Sequence, residues 1–450
     1  MLPESNPPPA QTITDPPISH NPITSLKFIR NLFGGQVARE GYLAAIDQGV
    51  ISLSNFLATI ILARHANPTE LGVYGVGFIG LRLIRCLQEG LIIQPVNVFG
   101  AGLGEHEFKR YVTSSTFIQI LLAFVSAAAI AVGGWVLTAL GNDIAGPTLF
   151  ALWFAALFTQ LQEHIRRVLY TRGEVFQAVI NTVLANSSRL ALMIVWANQS
   201  HLNGISSVHA IAWGSVCALL PGLWSTRHYW TRQSDNPLET WKKNWDFGRW
   251  MLGGTIASWV AVEFYPVLTA GMISFAAAGA YRALQNLVAP IHMLMRAIDT
   301  FLTPRAARIF TQGGHRALNR TMGFVYLIAG LPVVGMLFIS VLFPRQILHL
   351  LYGDTYLEYT RGILFMALFY ALLFVSWPLQ TILKAARLSR PIFIANLIAI
   401  ASMLTLGIWA ISIWGVYGTI LGQALNALIL AIILWSAWIV AVKKGRGLME

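Results

Sequence analysis

The sequence predicts an all-α integral membrane protein with about twelve transmembrane helices in two six-helix lobes. Of its 450 residues, 56% are hydrophobic and only 11% are charged, whereas soluble domains carry about 25% charged residues. Apolar runs long enough to cross a bilayer recur along the chain, and one long polar segment near its midpoint divides them into two sets. These observations exclude an ordinary soluble domain.

The apolar runs set the order of the predicted spans. A helix crosses the hydrocarbon core with about 20 mostly apolar residues, and these runs lack the alternation of barrel strands. The first six predicted spans are residues 44–64, 72–98, 113–139, 147–167, 175–197 and 206–226. The second six are residues 248–271, 277–304, 321–343, 360–383, 391–413 and 416–441.

The segments between and beyond these spans complete the domain plan. The first residues are polar and rich in proline, without the apolar core of a signal peptide, which predicts a disordered tail. The next segment interleaves apolar and basic residues, as in an interfacial helix or a basic linker. The predicted parts are a cytoplasmic tail (1–23), this lead-in (24–43), the N-terminal lobe (44–226), a cytoplasmic linker (227–247), the C-terminal lobe (248–441) and a second tail (442–450).

Basic residues lie in alternate loops, which predicts the orientation. Lys109, Arg166, Arg167, Arg172 and Lys242 all fall on one predicted side, together with both termini. The positive-inside rule assigns that side to the cytoplasm. The formal net charge of +12 is therefore explained by topology, and we expect no nucleic-acid partner.

Two pairs of segments indicate an internal duplication. Residues 72–95 and 279–304 both open with Gly-x-Tyr, carry arginines within the span and end in proline. Residues 161–172 and 379–390 both begin Leu-Gln and end in arginine, at the same place in each half. Because each half has an even number of spans, the lobes should be related by a pseudo-two-fold axis along the membrane normal.

Ionisable side chains within the second span form the first part of a candidate site. Arg82, Arg85 and Glu89 share one helix face, and Arg85 can pair with Glu89 one turn away. A charge at membrane depth costs at least a few kcal/mol, so it faces protein or a watery cavity. Arg82 has no partner in its own helix.

The eighth span carries a matching set. Arg282 and Arg296 lie two heptads apart, and Asp299 can pair with Arg296. Arg189 in the fifth span and Arg249 at the start of the seventh add basic charge. Guanidinium groups bind phosphate or carboxylate in a bidentate way, so we expect these six arginines to line a cavity that binds an anion. The alternatives are that the paired residues only neutralise buried charge and that Arg249 snorkels to the interface.

The sequence contains no signature of an enzyme or a metal site. It has no GxSxG, HExxH or P-loop motif, and Cys86 and Cys217 both lie within apolar spans. His164 and His292 lack neighbours at metal-ligand spacing. We therefore expect no catalytic residues, no cofactor and no bound metal.

Residues 46–78, IDQGVISLSNFLATIILARHANPTELGVYGVGF, resemble the first hairpin of the polysaccharide flippases in the multidrug/oligosaccharidyl-lipid/polysaccharide exporter superfamily. The matching positions are Asp47, Gln48, Gly49, Ser52, Asn55, Ala63, Arg64, Pro68, Glu70, Gly72 and Tyr74. The segments FGRW (247–250), GAYR (279–282) and LYGDTY (351–356) also resemble this family. The resemblance covers residues 40–440 approximately.

The resemblance implies a flippase that moves a lipid-linked oligosaccharide or polysaccharide precursor by alternating access. The implied ligand is a polyprenyl-pyrophosphate-linked sugar, and its pyrophosphate would suit the predicted arginine cavity. Proton or sodium coupling is usual in the superfamily; the carboxylates available for it are Asp47, Glu89, Glu263 and Asp299. We expect a monomer in the bacterial cytoplasmic (inner) membrane, surrounded by lipid and associated with polysaccharide-assembly proteins.

Three other functions remain open from the sequence. A peptidoglycan lipid-precursor flippase would share the basic cavity but commonly has two further spans. A multidrug exporter of cations would favour an acidic cavity. A membrane polysaccharide polymerase or ligase would need a larger outer loop than this chain offers.

Overall fold

The computed structural model describes residues 36–386 and 388–446, which form helices and no strands. The predicted tail (1–23), residues 24–35 of the lead-in and residues 447–450 lie outside the described residues. The helices of the first half are α1 (Gln36–His65), α2 (Pro68–Gln88), α3 (Gln94–Gly100), α4 (Glu105–Ala139), α5 (Ala145–Thr171), α6 (Val175–Asn198) and α7 (Gly204–Thr226). Those of the second half are α8 (Pro237–Glu263), α9 (Tyr265–Met272), α10 (Phe275–Leu287), α11 (Ala289–Leu342), α12 (Pro344–Tyr352), α13 (Gly362–Ala385), α14 (Ser389–Ser402), α15 (Ile408–Trp414) and α16 (Val416–Arg446).

The helices confirm the predicted multi-pass membrane fold. Among the described residues, eight helices are long and apolar enough to cross a membrane, and the bent pair α8 and α9 makes nine. The other three predicted spans, 72–98, 147–167 and 277–304, are helical as well. They are also the spans that carry the candidate site's arginines or end in basic residues.

Two spans contain a π-helical turn, and a third irregular point separates two spans. A π-helical turn, Glu89–Ile93, joins α2 to α3, and a second, Met403–Gly407, joins α14 to α15. In α11, Gly314 has φ 58°, a conformation that glycine adopts without strain. Gly314 thus separates the eighth predicted span from the ninth.

Helix packing forms two lobes. In the first, α4 packs on α5, α5 and α6 pack on α7, and α1 packs on α6. In the second, α13 packs on α16 and α11, and α14 packs on α16. We call the end of the bundle that holds residues 66–67 and 343–361 the predicted outer end, and the opposite end the predicted cytoplasmic end.

Helix α8 begins inside the predicted linker and joins the two lobes. Its first half packs on the first lobe, where Tyr111 donates a hydrogen bond to Asn244 at 2.9 Å and Ser114 donates one to Thr240 at 2.9 Å. Its second half packs on the second lobe, where the Asn396 amide donates to Ser258 at 2.8 Å. A single helix therefore spans the interface.

The break after α8 follows from Pro266. Proline has no N–H, so the carbonyl of Val262 loses its helical donor. The Gln423 amide donates to that carbonyl at 3.0 Å, and the Asn426 amide donates to the carbonyl of Ala261 at 3.0 Å. The chain bends by 52° here, and Glu263 is the last residue before the bend.

Helices α2 and α10 cross in close contact near the predicted outer end. A Cβ on Gly72 would lie 1.8 Å from the carbonyl oxygen of Phe275, and a Cβ on Gly279 would lie 2.0 Å from that of Pro68. Only glycine permits this approach at either position. The Gly-x-Tyr openings of the two echoed segments thus meet each other across the lobe interface.

We expect Gly72→Ala to destabilise the protein, because the added methyl group forces α2 and α10 apart. Overpacking of this kind costs about 1–3 kcal/mol, measurable as a lower unfolding midpoint in detergent. Gly335→Ala is the matched control, because a Cβ there meets nothing within 4 Å and alanine favours the helix by about 0.5–1 kcal/mol. Equal midpoints for the two variants would contradict the close crossing.

Candidate functional site

An ion pair joins the two lobes at the centre of the candidate site. Arg82 of α2 contacts Glu263 at the end of α8, with Nη1 and Oε1 2.7 Å apart. The side chains are 33% and 16% exposed, respectively. The sequence analysis found no partner for Arg82 within its own helix, and the structure shows one from the other half of the chain.

Further basic groups surround the same carboxylate. Arg282, Arg296 and His292 all interact electrostatically with Glu263, and Arg296 interacts with both Arg82 and Arg85. We call Arg82, Arg85, Arg282, Arg296 and Glu263 the central cluster. The central cluster contains four of the six predicted arginines and one of the predicted carboxylates.

Arg282 is held by contacts from both lobes. Its Nη1 donates to Gln285 at 3.0 Å, and its guanidinium lies 5.1 Å from the ring centroid of Phe78. Its stem packs against Gly75, where an added Cβ would lie 3.5 Å from Cγ of Arg282. Its Nε is buried without a hydrogen-bond partner.

The structure corrects the expected pairing of Arg85 with Glu89. Arg85 instead donates to Glu163 of α5 at 2.7 Å, and Glu89 accepts from Gln94 at 2.7 Å. The π-helical turn begins at Glu89 and brings Gln94, five residues further on, into register with it. Arg85 therefore pairs with another helix, and Glu89 pairs within the turn.

A second charged group lies inside the first lobe. Arg166 contacts Asp47 of α1 and makes two bonds to Glu163, from Nε at 2.9 Å and from Nη2 at 2.8 Å. Arg167 also donates to Glu163 at 2.7 Å. Arg166 and Glu163 are each 5% exposed, and Asp47 is 4% exposed. We call these four residues the buried network.

The sequence analysis missed most of this network. It counted Arg166 and Arg167 with the cytoplasmic basic residues, at the end of the predicted span 147–167, whereas α5 continues to Thr171 and holds both arginines within the bundle. Glu163 was not considered. The available signal was its spacing of three and four residues from the two arginines, which favours ion pairs on one helix face.

The structure does not bring Arg189 or Arg249 to the central cluster. Arg189 is buried and binds Asn55 at 2.8 Å and the hydroxyl of Tyr74. Arg249 is half exposed, 3.9 Å from Asp246, and its guanidinium lies 5.7 Å from the ring centroid of Trp250. The Asp299 side chain lies outside the described residues, so its expected pairing with Arg296 stays a prediction.

The arrangement suits anion binding better than catalysis or metal binding. In the described part of the chain, no group of three or more His, Cys, Asp or Glu residues could hold a metal ion. His164 contacts Thr116 at 2.8 Å, and His292 contacts the hydroxyl of Tyr370 at 3.4 Å. Arginine forks between two lobes instead offer charge-assisted bonds to phosphate oxygens.

Comparison with known proteins agrees with the fold and the sequence resemblance. The family model described as polysaccharide biosynthesis protein matches residues 61–361. An inward-facing multidrug resistance MATE family transporter of the MOP superfamily is 13% identical with a TM-score of 0.76, over 89% of this chain and 98% of that chain. The outward-facing conformation of such a transporter is 15% identical with a TM-score of 0.60, over 91% and 96% of the two chains.

A third similar structure differs in the polarity of its binding pocket. It is a MOP superfamily transporter from Pyrococcus furiosus, whose reverse polarity of binding pocket is said to suggest a different function. It is 14% identical with a TM-score of 0.61, over 94% of this chain and 98% of that chain. Identities this low show the fold alone. No curated protein matches the chain significantly.

We expect Arg166→Gln to lower the free energy of unfolding by about 3–5 kcal/mol, because it leaves Asp47 and Glu163 buried with less compensation. Arg167→Gln, one residue away, should cost about 1 kcal/mol or less, because Arg167 is more exposed and Glu163 keeps Arg85 and Arg166. Denaturation in detergent measures both. Asp47→Asn combined with Arg166→Gln should recover part of the loss; equal effects of the two single variants would refute the buried network.

Proposed function

Because the chain belongs to the polysaccharide biosynthesis protein family, we propose that this membrane transporter is a flippase for a lipid-linked oligosaccharide or polysaccharide precursor. The central cluster would bind the pyrophosphate of a polyprenyl-pyrophosphate-linked sugar. The sugar would cross between the lobes while the polyprenyl chain stays in lipid. Transport proceeds by alternating access of the two lobes.

The convergence of four arginines between the lobes carries this proposal. Each guanidinium has a fixed charge and donates two parallel bonds to phosphate oxygens. The single carboxylate of the central cluster leaves an excess of positive charge there. A cationic drug would be repelled, so the polarity of this cluster opposes a multidrug function.

Contacts at the predicted outer end support alternating access. Gly72 and Gly279 bring α2 and α10 together there. Arg64 of α1 donates to the carbonyls of Leu350 and Leu351 at the end of α12, the latter at 2.8 Å. These contacts join the first lobe to the second. We propose that they hold the outer end closed while the ligand enters from the cytoplasmic side.

Ion coupling belongs to the same proposal. Asp47 and Glu263 are our candidates, since each is an intramembrane carboxylate whose arginine partner lies in another helix. One oxygen of Asp47 is buried without a hydrogen-bond partner. Glu89 and Asp299 are weaker candidates. The coupling ion would be a proton or sodium, and the protein would act as a monomer in the bacterial cytoplasmic membrane with both termini inside.

We expect Arg282→Gln to slow flipping about five-fold or more, because it removes a charge-assisted contact of about 1.5–3 kcal/mol. The assay uses the purified protein in liposomes with a fluorescent polyprenyl-pyrophosphate sugar. A membrane-impermeant quencher reports the fraction in the outer leaflet.

Arg345→Gln is the matched control, because Arg345 is exposed at the predicted outer end and its loss changes the net charge equally. Flipping at the wild-type rate by both variants would show that the central cluster is not the binding site. Export of cationic dyes, with no movement of the lipid-linked sugar, would overturn the proposed substrate.

A further inference from the structure

We propose that Glu263 is a built-in counter-ion that occupies Arg82 when no ligand is bound and is displaced by the ligand's phosphate. This inference rests on the proposed function and adds a regulation of the same site. It is based on the ion pair of Arg82 with the Glu263 carboxylate, because an arginine proposed to bind an anion already holds one, and that carboxylate belongs to the opposite lobe.

The backbone fixes Glu263 on the second lobe. The two carbonyls just before it, those of Ala261 and Val262, are bonded to the amides of Asn426 and Gln423. Gln423 also accepts a hydrogen bond from Tyr281 at 2.6 Å, and Gln285 links Tyr281 to Arg282. The break in the helix is therefore held by polar contacts, and the Glu263 carboxylate is presented to the first lobe.

Charge balance gives Glu263 its role. Without a ligand, the guanidinium groups of the central cluster repel one another. Glu163 compensates Arg85, and Glu263 reduces the repulsion among the other three arginines. A pyrophosphate carries more negative charge and offers more acceptor oxygens, so it satisfies the same arginines better. It would also repel the Glu263 carboxylate, which must then leave Arg82.

Exposure distinguishes this pair from the pairs in the buried network. Arg82 and Glu263 are 33% and 16% exposed, so an exchange of partners is open to water and to a ligand. The side chains of Arg166 and Asp47 are only 5% and 6% exposed, and the loss of a partner costs far more at such buried positions. The interlobe pair is thus built to exchange, and the pairs that Arg166 forms with Asp47 and Glu163 are built to persist.

Exchange would couple binding to movement and release. Displacement of Glu263 removes one tie between the lobes, which lowers the cost of separating them. Return of Glu263 to Arg82 would compete with the bound phosphate and assist its release. A transporter needs this competition, because arginines without it would retain their ligand.

The test measures binding of inorganic pyrophosphate and of farnesyl pyrophosphate to the purified full-length protein in detergent. We expect Glu263→Gln to tighten binding about ten-fold or more, the value of one charge-assisted contact released from competition, and to slow flipping in liposomes. Glu239→Gln is the matched control, because Glu239 is exposed in the first turn of the same helix. It should leave the affinity unchanged.

The outcomes separate the inference from the proposed function. Unchanged or weaker binding by Glu263→Gln, with normal binding by the wild type, overturns the counter-ion alone. Absence of binding in both overturns the proposed function and this inference with it. A purely structural pair would lower stability without tightening binding. If Glu263→Gln does not fold, Glu263→Asp tests the same point, because its shorter carboxylate holds Arg82 less well and should tighten binding to a smaller degree.

Discussion

The cost of placing charge within an apolar bundle organises this structure. An arginine or carboxylate at membrane depth needs a partner or water, and removing one member of a buried pair costs far more than the pair contributes. The central cluster and the buried network both satisfy this requirement through contacts between helices. Glu163 alone accepts bonds from Arg85, Arg166 and Arg167, which ties α2 to α5 and so connects the buried network to the central cluster.

The same requirement gives a physical role to the hairpin that α1 and α2 form. Asp47 forms an ion pair with Arg166, and Asn55 and Tyr74 accept hydrogen bonds from Arg189. Glu70 accepts a hydrogen bond at 2.7 Å from the backbone N–H of Gly204, the first residue of α7. The polar residues of this hairpin are therefore the docking points for arginines and helix ends from the rest of the first lobe.

The sequence predicted the fold and named all five residues of the central cluster because those features are local. Apolar run length determines spans, and an arginine or carboxylate within such a run is visible without knowing its neighbours. Partners are not local: Arg85 and Glu163 are 78 residues apart, and Arg166 and Asp47 are 119 apart. The Arg85–Glu89 prediction was wrong because it considered partners within one helix only, whereas Arg85 pairs with a residue of α5. The buried position of Arg166 was missed because basic residues at the end of an apolar run are also typical of an exposed helix end.

The location of each ion pair bears on how such a bundle can move. Pairs in the buried network lie within one lobe, shielded from water, and their loss would unfold that lobe before it changed its shape. The Arg82–Glu263 pair lies between lobes and is more exposed, so water or a ligand can replace either partner. Stable pairs inside a lobe with an exchangeable pair between lobes favour rigid-body motion over internal rearrangement. Helix α8 adds to this division, because its first half packs on the first lobe and its second half on the second, and its end carries the exchangeable carboxylate.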